Sequence, residues 1–448
     1  MTTKSGNGPL SFWQARMGAM PEAPPLTGDR RYDVAIIGGG YTGLSAAYHL
    51  KAAEPGTSVC VLEAETAGFG ASGRNGGFVM TLFGASAGLM KTLHGKERVR
   101  EAHHYMERSI DALEEMVRTH GIDCDFQRGG FLKVATSPSY VGRIKEEMEL
   151  FQSLGLDGFV WLERDEVLSR VHSHEFLGAC LEPGCGLLDP MKWLAGLRTL
   201  AMDSGADVFE RSPVVEVRRE GGRYHLKTLQ GTVSADKIVY ATNGYTHLMR
   251  GMRSKQLPAF AYIVVTEPLS AEQRASIGWN GGEGIEDARN YMHFYRLTPD
   301  GRILAGGGPG LVPFAGNMDN DASPHAWAHL ERFITQTFPG LKGIRISHRW
   351  GGAFSVTADS TPQVGTLDGG GATFSIGCTG HGVAMTHMNG RIVADLVAGR
   401  KTDLTDLWFV NRRVMPLPPE PFRWLAARAV MAAMALDDYW AGRRSAGS

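Results

Sequence analysis

The sequence predicts an α/β fold in which a parallel unit is interleaved with a second, mostly antiparallel sheet. Near the N-terminus an apolar run, Val34 to Ile37, is long enough for a buried parallel strand and leads directly into a glycine-rich turn and a helix. From Pro258 to His348 the pattern changes to short strands separated by turns, which is typical of antiparallel pairing. Because the α/β pattern continues on both sides of that region, we expect two units that share one chain by insertion.

The turn after the first strand has the spacing G-x-G-x-x-G, with glycines at 38, 40 and 43. Gly38 permits the tight turn, Gly40 lets the backbone approach a pyrophosphate, and Gly43 lets the helix pack closely on the strand. Tyr41 and Thr42 lie in the first turn of that helix, whose N–H groups and positive dipole end favour an anion.

The second strand, Ser58 to Leu62, ends at Glu63, twenty positions after Gly43, and Ala64 follows. An acid at this point can accept hydrogen bonds from the hydroxyls of an adenosine ribose. It also argues against a 2′-phosphate, since two anions would repel each other. Strand, turn, helix and acid together predict a Rossmann-type dinucleotide site.

Further along the chain the elements alternate between the two units. Helices are predicted over 97–120, 137–155 and 189–203, strands over 125–135, 207–209, 214–217, 223–229 and 237–241, a hairpin over 291–306, and a helix from about 382. We therefore predict a cofactor domain built from 30–110, 170–247 and 348–415, and a substrate domain built from 111–169 and 248–347.

The last segment, 416–448, is predicted to be a C-terminal helical extension. Its apolar residues surround most of a helix and are interrupted by Arg423, Arg428, Asp437 and Asp438. We expect this helix to pack on its own protein or on a subunit of a homo-oligomer, and a peripheral contact with a membrane surface is the alternative.

Composition excludes several classes of protein. The 46 basic and 47 acidic residues leave no net charge that would point to nucleic acid. The five cysteines have no spacing typical of a metal site or a disulfide framework, so we expect reduced thiols, no metal and a cytoplasmic location. No signal peptide and no apolar run long enough for a transmembrane segment is predicted.

Several separated motifs occur together in one order. They are Val34 to Gly43, Gly68 to Gly77, Tyr295 to Thr298, Gly306 to Gly308, Arg349 to Gly352 and Gly380 to Gly382. In these motifs the chain resembles the D-amino-acid-oxidase-like family of FAD-dependent amine oxidoreductases, and within it the bacterial members that oxidise γ-glutamylputrescine.

The resemblance implies an FAD-binding domain of the Rossmann type. By this likeness the cofactor contacts come from Gly38, Gly40, Tyr41, Thr42, Gly43, Glu63, Ala64, Gly70, Ala71, Ser72, Arg74, Asn75, Gly76, Gly77, Val215, Trp350, Gly351, Gly380, His381, Gly382 and Val383. The loop at 70–77 lacks the histidine to which some members attach FAD, and Cys378 fits a small packing residue, so non-covalent FAD is expected.

Particular roles follow from the same resemblance. Arg74 and Asn75 are expected to supply donors near the flavin, and Val215 a backbone contact to adenine. Trp350 is expected to pack beside the ring system. A helix beginning after Gly380 would aim its dipole at the flavin N1–C2=O edge, where negative charge collects on reduction.

The resemblance also implies the reaction. FAD would oxidise the C–N bond of a small-molecule amine to an imine, which water hydrolyses to an aldehyde, and O2 would reoxidise the flavin with release of H2O2. The expected substrate is γ-glutamylputrescine or another ω-amino compound. The alternatives are an oxidase of glycine, sarcosine or D-amino acids, a quinone-linked dehydrogenase of the same fold, and a flavoprotein that turns nothing over.

Four residues are the sequence's candidates for catalytic or substrate contacts. Tyr295 and Arg296 are adjacent in a predicted strand, so only one of them can face the flavin, while His293 shares a face with Tyr295. Lys255 is a cation of the kind that promotes reaction with oxygen. For each the alternative is an ordinary structural residue: a sheet tyrosine, a surface arginine, a core histidine and a solvated lysine.

One departure from the family bears on the substrate. Sarcosine oxidases of the family place a lysine two residues after G-H-G, whereas here Val383 and Ala384 follow Gly382. A buried α-carboxylate without a cation would be unfavourable by several kcal/mol. The sequence therefore predicts an amine that carries no carboxylate on the reacting carbon.

Overall fold

The computed structural model of the chain describes residues 8–18, 20–279 and 282–443. Its strands are β1 Gly28–Ile37, β2 Val59–Leu62, β3 Phe78–Val79, β4 Phe131–Ala135, β5 Val160–Glu163, β6 Gly178–Glu182, β7 Gly186–Leu187, β8 Asp207–Phe209, β9 Glu216–Glu220, β10 Arg223–Lys227, β11 Gly231–Tyr240, β12 Leu257–Thr266, β13 Gly284–Asp287, β14 His293–Leu297, β15 Ile303–Gly307, β16 Ile346–Val356, β17 Gln363–Leu367 and β18 Ala372–Ile376.

The helices cover one face of the first sheet and the outside of the second. They are α1 Phe12–Met17, α2 Tyr41–Ala53, α3 Ala87–His94, α4 Lys96–His120, α5 Pro138–Ser153, α6 Arg164–Leu168, α7 Pro190–Asp203, α8 Ala271–Ile277, α9 Pro324–Thr337, α10 Gly382–Ala398 and α11 Phe422–Arg443.

The first sheet has the order β17-β18-β11-β1-β2-β8, with β10 and β9 added at β11. β1 lies parallel to β2 on one side and to β11 on the other, with Val34 opposite Val59 and Lys237. Its last four residues are buried, and alternate side chains enter two different cores: Ile36 packs with α2 and α10, and Ile37 packs with Val214 on the opposite face. The predicted Rossmann-type α/β unit is confirmed.

The second sheet has the order β16-β12-β15-β14-β13-β4-β6-β5 and is antiparallel except for the pair β13–β4. β12 and β16 pair over almost their whole lengths. One face packs on α9 through a core that contains Phe333 and Ile334, and the other face turns toward the first sheet. The predicted mixed architecture, with a mostly antiparallel second sheet, is therefore present.

Two predicted domain boundaries need correction. β6 falls in the predicted cofactor segment 170–247 but pairs with β4 and β5 in the second sheet. Most of β16 falls in the segment 348–415 but pairs with β12. In both cases hydrogen bonding across the sheet, which the local sequence does not show, decides the domain to which the strand belongs.

The predicted helices appear close to their expected bounds because their ends carry strong signals. α7 begins after Asp189, whose side chain accepts hydrogen bonds from the N–H groups of Met191 and Lys192, and Pro190 occupies its first position. α4 ends at Gly121 in the left-handed conformation. None of the helices among the described residues is long and apolar enough to cross a bilayer.

Candidate active site

A cavity of about 1200 Å³ lies between the two sheets, and both sheets contribute to its walls. Pockets for drug-sized ligands have roughly 300–1,000 Å³, so this one has room for more than a small substrate. One end is formed by the turn after β1 and by the residues after β2. The other is formed by β12, β13 and β14, with α11 as a roof.

The structure supports the turn predicted at Gly38 and the close helix packing predicted at Gly43, and the pyrophosphate contact at Gly40 stays a prediction. Gly38 has a φ of +112°, and a Cβ there would lie 2.5 Å from the carbonyl oxygen of Ala241. At Gly43 a Cβ would overlap the carbonyl oxygen of Gly38, so α2 packs directly on the end of β1. Gly40 is the N-cap of α2 and has no side chain to cap it, and the N–H of Tyr41 in the first turn donates to the Ser72 hydroxyl at 3.1 Å. The helix N-terminus therefore opens into the cavity with Gly40 at its edge.

Glu63 lines the same end, with Ala64 beside it. Its carboxylate accepts hydrogen bonds from the N–H of Gly39 at 2.7 Å and the N–H of Glu65 at 3.1 Å. Burial raises the pKa of the Glu63 carboxyl, and those two N–H groups oppose that rise. The carboxylate is thus held in one orientation at the cavity wall, where the sequence placed a ribose partner.

Val215 lines the cavity too, next to Pro213 and Val214. Its N–H donates to the carbonyl oxygen of Lys227 at 2.8 Å. A role in binding adenine through the backbone of Val215 stays a prediction, and this N–H is already used within the protein.

The glycine-rich loop that follows β2 lines the middle of the cavity. Gly70, Ala71, Ser72, Arg74, Asn75 and Gly76 contribute to that wall. The Asn75 side chain donates to the carbonyl oxygens of Ala71 and Ser72 and accepts from the N–H of Gly77. These bonds correct the expected role of Asn75: its amide ties the loop together and does not point its donors at a ligand.

Arg74 needs the same correction. Its guanidinium donates to the carbonyl oxygens of Phe69, Gly351 and Pro9, and it lies 3.9 Å from the carboxylate of Asp321. The side chain is buried, so these internal acceptors satisfy a charge that would otherwise be costly to hold there. Arg74 stabilises the loop that forms the cavity wall.

Three predicted cofactor contacts lie behind this wall and do not line the cavity. Trp350 is fully buried and donates from its indole N–H to the carbonyl oxygen of Arg74 at 2.8 Å. Gly351 accepts from Arg74, and Gly77 is pressed against the carbonyl of Leu188. Trp350 and Gly351 support the loop from outside, and Gly77 is the end of the loop itself. The sequence predicted that these residues contact the cofactor, whereas they lie behind the residues that line the cavity.

At the opposite side of the cavity α10 begins at Gly382. Gly380, His381, Gly382 and Val383 all line the wall, as predicted, and the N-cap His381 makes no side-chain cap hydrogen bond. Burial lowers the pKa of His381 to about 4, so its ring is neutral near pH 7. The positive dipole end of a 17-residue helix thus faces the cavity without a competing acidic cap.

The four candidate catalytic residues do not line the cavity. His293 and Tyr295 lie on the opposite face of β14, in the core against α9. His293 is hydrogen-bonded to Asp287 and to His329, and the Tyr295 hydroxyl is buried with no partner among the described residues. His293 is therefore a hydrogen-bonded core histidine and Tyr295 a sheet tyrosine, the alternatives to a role at the site.

Arg296 and Lys255 are also displaced from the cavity. The Arg296 guanidinium donates to the carbonyl oxygens of Leu188, Gly76 and Gly77, beneath the glycine-rich loop. Lys255 precedes β12, with its ammonium 5.8 Å from the centre of the Phe374 ring on the first sheet. The Arg296 guanidinium is not available to a substrate, because it is engaged on the far side of the loop that encloses the cavity. Lys255 is partly exposed and does not line the cavity.

The residues that do face the cavity at this end are mostly apolar. From β14, Phe294 faces the cavity, because neighbouring strand residues point to opposite faces and Phe294 lies between His293 and Tyr295. Phe78, Met80, Ile263 and Met292 complete the wall. The sequence shows that alternate side chains of β14 point to opposite faces of the sheet. It does not show which face lines the cavity, because that depends on which face α9 covers.

One acidic side chain interrupts that apolar wall. Glu286, in the buried strand β13, lines the cavity and was not singled out from the sequence. An acid in a strand whose four residues are all buried is itself an available signal, because burial of an unpaired carboxylate is unfavourable.

The C-terminal helix α11 forms the roof. Its inward positions recur at helical spacing: Arg423, Ala427, Met431 and Met434 line the cavity. The helix is fastened by Asp438, which accepts from the N–H groups of Asn290 and Tyr291, and by the hydroxyl of Tyr291, which donates to the carbonyl of Met431. The expectation that this helix packs on its own protein matches the structure.

Comparison with known proteins decides the family. The family described as FAD dependent oxidoreductase, abbreviated DAO, matches residues 33–396. The chain belongs to this DAO family of FAD-dependent oxidoreductases. The match spans both sheets and all the motifs of the cavity.

Two relatives show the range within the family. The chain is 32% identical over 374 residues to "Gamma-glutamylputrescine oxidoreductase" of Escherichia coli (strain K12), covering 82% of this chain and 84% of that protein. It is 28% identical over 393 residues to "Glycine oxidase" of Bacillus licheniformis, covering 86% of this chain and 98% of that protein. This DAO-family chain is an oxidoreductase of the kind that acts on amine or amino-acid C–N bonds.

Solved structures agree in fold. The crystal structure of glycine oxidase from Geobacillus kaustophilus matches with a TM-score of 0.73 at 22% identity, covering 86% of this chain and 99% of that one. L-proline dehydrogenase from P. horikoshii matches with a TM-score of 0.71, also at 22% identity. At this identity the likeness shows the fold alone.

The residues of the cavity fit the FAD that the family implies. A Cβ at Gly40 would lie 2.8 Å from the Ser72 hydroxyl and narrow the approach to the α2 N-terminus, where a pyrophosphate would be held. Glu63 would hold the ribose, and the loop from Gly70 to Gly76 would flank the flavin. The N-terminus of α10 would face its electron-rich edge.

Proposed function

We propose that this protein oxidises the C–N bond of a small ω-amino compound, of which γ-glutamylputrescine is the example suggested by the relative in Escherichia coli. Bound FAD supplies the oxidation, and the imine product is hydrolysed by water to an aldehyde. The chain's own residues bind the amine, hold it against the flavin and exclude water.

The observation that carries this proposal is the absence of an available cation beside the α10 N-terminus, within the described part of the chain. Val383 and Ala384 follow Gly382, and the two arginines that line the cavity are Arg74, whose donors are used internally, and Arg423 on α11. A carboxylate on the reacting carbon would be desolvated there without a partner. A methylene chain suits the wall of Phe78, Phe294 and Met292.

The same wall favours a neutral reacting amine. An ammonium ion would lose its hydration against aromatic and aliphatic side chains, which lowers its pKa and favours the unprotonated form. The neutral form carries the nitrogen lone pair from which oxidation of the neighbouring carbon proceeds. Phe294 and Ile263 hold the amine in place by contact.

We propose that FAD is bound without a covalent bond. Cys378 lines the cavity, but burial raises the pKa of its thiol, and its Sγ donates to the side-chain oxygen of Asn243 at 3.4 Å. A protonated, hydrogen-bonded thiol is a poor nucleophile. Protein denatured by acid should therefore release all of its yellow colour into the supernatant.

We further propose O2 as the electron acceptor, with H2O2 as product. The five cysteines are free and buried, and we propose the cytoplasm as the compartment on that basis. The test is anaerobic mixing of the purified protein with a panel of amines while flavin absorbance is followed, and then admission of air. Bleaching by an ω-amine followed by peroxide release is expected, whereas bleaching without peroxide favours a quinone-linked enzyme.

The second candidate is an oxidase of α-amino acids, which the similarity to glycine oxidase of Bacillus licheniformis favours. Arg296 cannot supply the missing cation, because its guanidinium is already bonded to carbonyl groups under the loop. The panel therefore includes glycine, sarcosine and D-alanine. If one of these reduces the flavin with a higher second-order rate constant than any ω-amine, the second candidate replaces the first.

A further inference from the structure

We propose that Glu286 is a specificity-determining residue that binds a second, positively charged nitrogen of the substrate, remote from the carbon that is oxidised. This inference rests on the proposed function, and it narrows the substrate class to ω-amines that carry a distant ammonium group. Simple diamines and amines with a remote α-ammonium both belong to that class.

The environment of Glu286 first suggests this role. The residue is 4% exposed, and its side chain lines the cavity. Its carboxylate has no hydrogen bond to any other residue that the structure describes, unlike that of Glu63 at the opposite end. A buried carboxylate in this state is unfavourable unless something binds it. Because it lies between the main cavity and a small side cavity, a ligand in the main cavity is an available partner.

The charges around Glu286 leave a negative surplus. Lys133 lies opposite it across β4 and β13, but that ammonium is hydrogen-bonded to the Glu147 carboxylate at 2.6 Å. On the same strand Asp287 is paired with Arg289 and His293. Lys133 therefore brings one positive charge beside two carboxylates, those of Glu147 and Glu286. A cationic group bound at Glu286 would balance the remaining negative charge.

Two further titratable groups line a small side cavity that Glu286 separates from the main one. Glu182 on β6 accepts a hydrogen bond from the hydroxyl of Thr81, and burial raises the pKa of its carboxyl to about 7. Burial lowers the pKa of His103 on α4, so its ring is neutral near pH 7. The side cavity therefore gains no positive charge from His103, and the Glu182 carboxyl cannot supply one.

The pKa of Glu286 agrees with an incomplete site. Burial raises it to about 7, the neighbouring Lys133 lowers it, and the other carboxylates raise it. An ammonium ion bound beside the carboxylate would stabilise the charged form and bring the pKa down again. The carboxylate would thus be fully charged when substrate is present.

The position of Glu286 sets it apart from the reacting end. The Phe78 ring would be 2.9 Å from a Cβ at Gly76 in the glycine-rich loop and 2.6 Å from a Cβ at Gly284, so it fills the space between loop and β13. Glu286 lies two residues beyond Gly284 on the same face of the strand, about 7 Å further along. Phe294 is its partner across the ladder. An amine stretched along these two aromatic side chains has one nitrogen beside the loop and the other at Glu286.

The roof closes this end with neutral groups. Met431 and Met434 of α11 line the cavity there, as do Asn290 and Tyr291, whose backbone N–H groups are used by Asp438. The aliphatic chain of a diamine would run under methionines, which adapt well to flexible ligands. An ammonium group under these methionines would find a buried carboxylate partner in Glu286, whereas Asp319, which also lines the cavity, is exposed.

The test uses the FAD-bound enzyme, 1,4-diaminobutane, and butylamine as a matched amine without the second nitrogen. In Glu286→Gln the side chain keeps its shape and loses its charge. Binding is measured under nitrogen by thermal stabilisation and by perturbation of flavin absorbance, and reduction of the flavin by stopped flow. Glu182→Gln is the control, because Glu182 is a nearby buried carboxylate that does not line the main cavity.

We expect Glu286→Gln to weaken binding of the diamine, and its second-order rate of flavin reduction, by roughly 10- to 100-fold, the effect of losing a charge-assisted hydrogen bond. Butylamine should change by less than about twofold on the same argument. Glu286→Asp retains the charge on a shorter side chain and should shift the preference toward 1,5-diaminopentane. Glu182→Gln should leave the ratio of diamine to butylamine unchanged.

Equal losses for both amines, or no loss for either, overturn the proposal. So does a preference of the wild type for butylamine. If no amine reduces the flavin but the diamine stabilises the wild type and not Glu286→Gln, the proposed function fails and the binding role stands. Absence of diamine binding to the wild type overturns the role of Glu286, and the proposed function still stands if another ω-amino compound reduces the flavin.

Discussion

The two ends of the cavity are built in different ways. Much of the nucleotide end is formed by two short stretches of neighbouring residues: the turn from Gly38 to Thr42 and the end of β2 around Glu63. The amine end is formed by side chains far apart in the chain, among them Phe78, Glu286 and Met431. The first end works through backbone geometry and the second through side-chain packing. The first was therefore readable from a short motif and the second was not.

The largest effect should come from breaking the backbone geometry of the nucleotide end. In Gly43→Ala the new Cβ overlaps the carbonyl oxygen of Gly38, so α2 must move away from β1. Gly142→Ala in α5 is the matched control, because a Cβ there meets nothing within 4 Å. We expect Gly43→Ala to purify without FAD or to fail to fold, and Gly142→Ala to gain about 0.5–1 kcal/mol of stability. Flavin content and the melting temperature check both.

A yellow Gly43→Ala protein with an unchanged melting temperature would show that the helix does not pack on the strand as described. It would also remove the main support for the pyrophosphate position.

The next effect is smaller and lies at the same end. In Glu63→Gln the amide NH2 must face the N–H of either Gly39 or Glu65, so one of the two bonds that orient the side chain is lost, together with the charge. FAD affinity should fall by roughly 10- to 100-fold. Glu65→Gln serves for comparison, since Glu65 lines the same end. The FAD dissociation constants are measured by flavin fluorescence, and equal losses in the two variants would contradict a specific role for Glu63.

The difference between the ends also explains how far sequence reasoning could reach. The α/β class, α2, α7 and α10 followed from glycine spacing, caps and helical periodicity, which are local signals. The site at the nucleotide end followed because its contacts are within or next to the motif. Non-local pairing decided the two domain boundaries that were wrong, at β6 and β16.

At the amine end the errors share one physical cause. The motif around Tyr295 and Arg296 is close to the cavity, but proximity along a strand does not tell which face is turned inward. Here α9 covers the face of His293 and Tyr295, so Phe294 turns to the cavity. Arg74 and Trp350 were assigned as ligand contacts, whereas their hydrogen bonds hold the wall. In these glycine-rich motifs the charged and aromatic side chains hold the backbone in place.

A moderate effect should come from loosening the roof, and only the amine end should respond. In Asp438→Asn the amide would present donors to the N–H groups of Asn290 and Tyr291, which now donate to the carboxylate. We expect the KM for the amine to rise about threefold to tenfold, as for loss of one or two hydrogen bonds, with FAD affinity unchanged. Glu146→Gln, at an exposed position on α5 away from the roof, is the control. A change in FAD affinity equal to that in KM would show that the two ends are not separate.

The smallest effect is expected at Tyr295, and it tests the face assignment of β14 directly. The Tyr295 hydroxyl is buried between Phe176, Phe333 and Phe338 with no hydrogen-bond partner in the described chain. Removing an unsatisfied buried hydroxyl costs no hydrogen bond and relieves its desolvation, so Tyr295→Phe should be neutral or more stable by up to about 1 kcal/mol. Turnover, KM and flavin absorbance should be unchanged, because the ring stays in the core behind the sheet. Phe294→Ala, one residue earlier, is the contrasting variant, and it should lose substrate affinity because it opens the cavity wall. If Tyr295→Phe lost activity while Phe294→Ala retained it, the phase of β14 described above would be inverted and the amine end would have to be rebuilt around Tyr295.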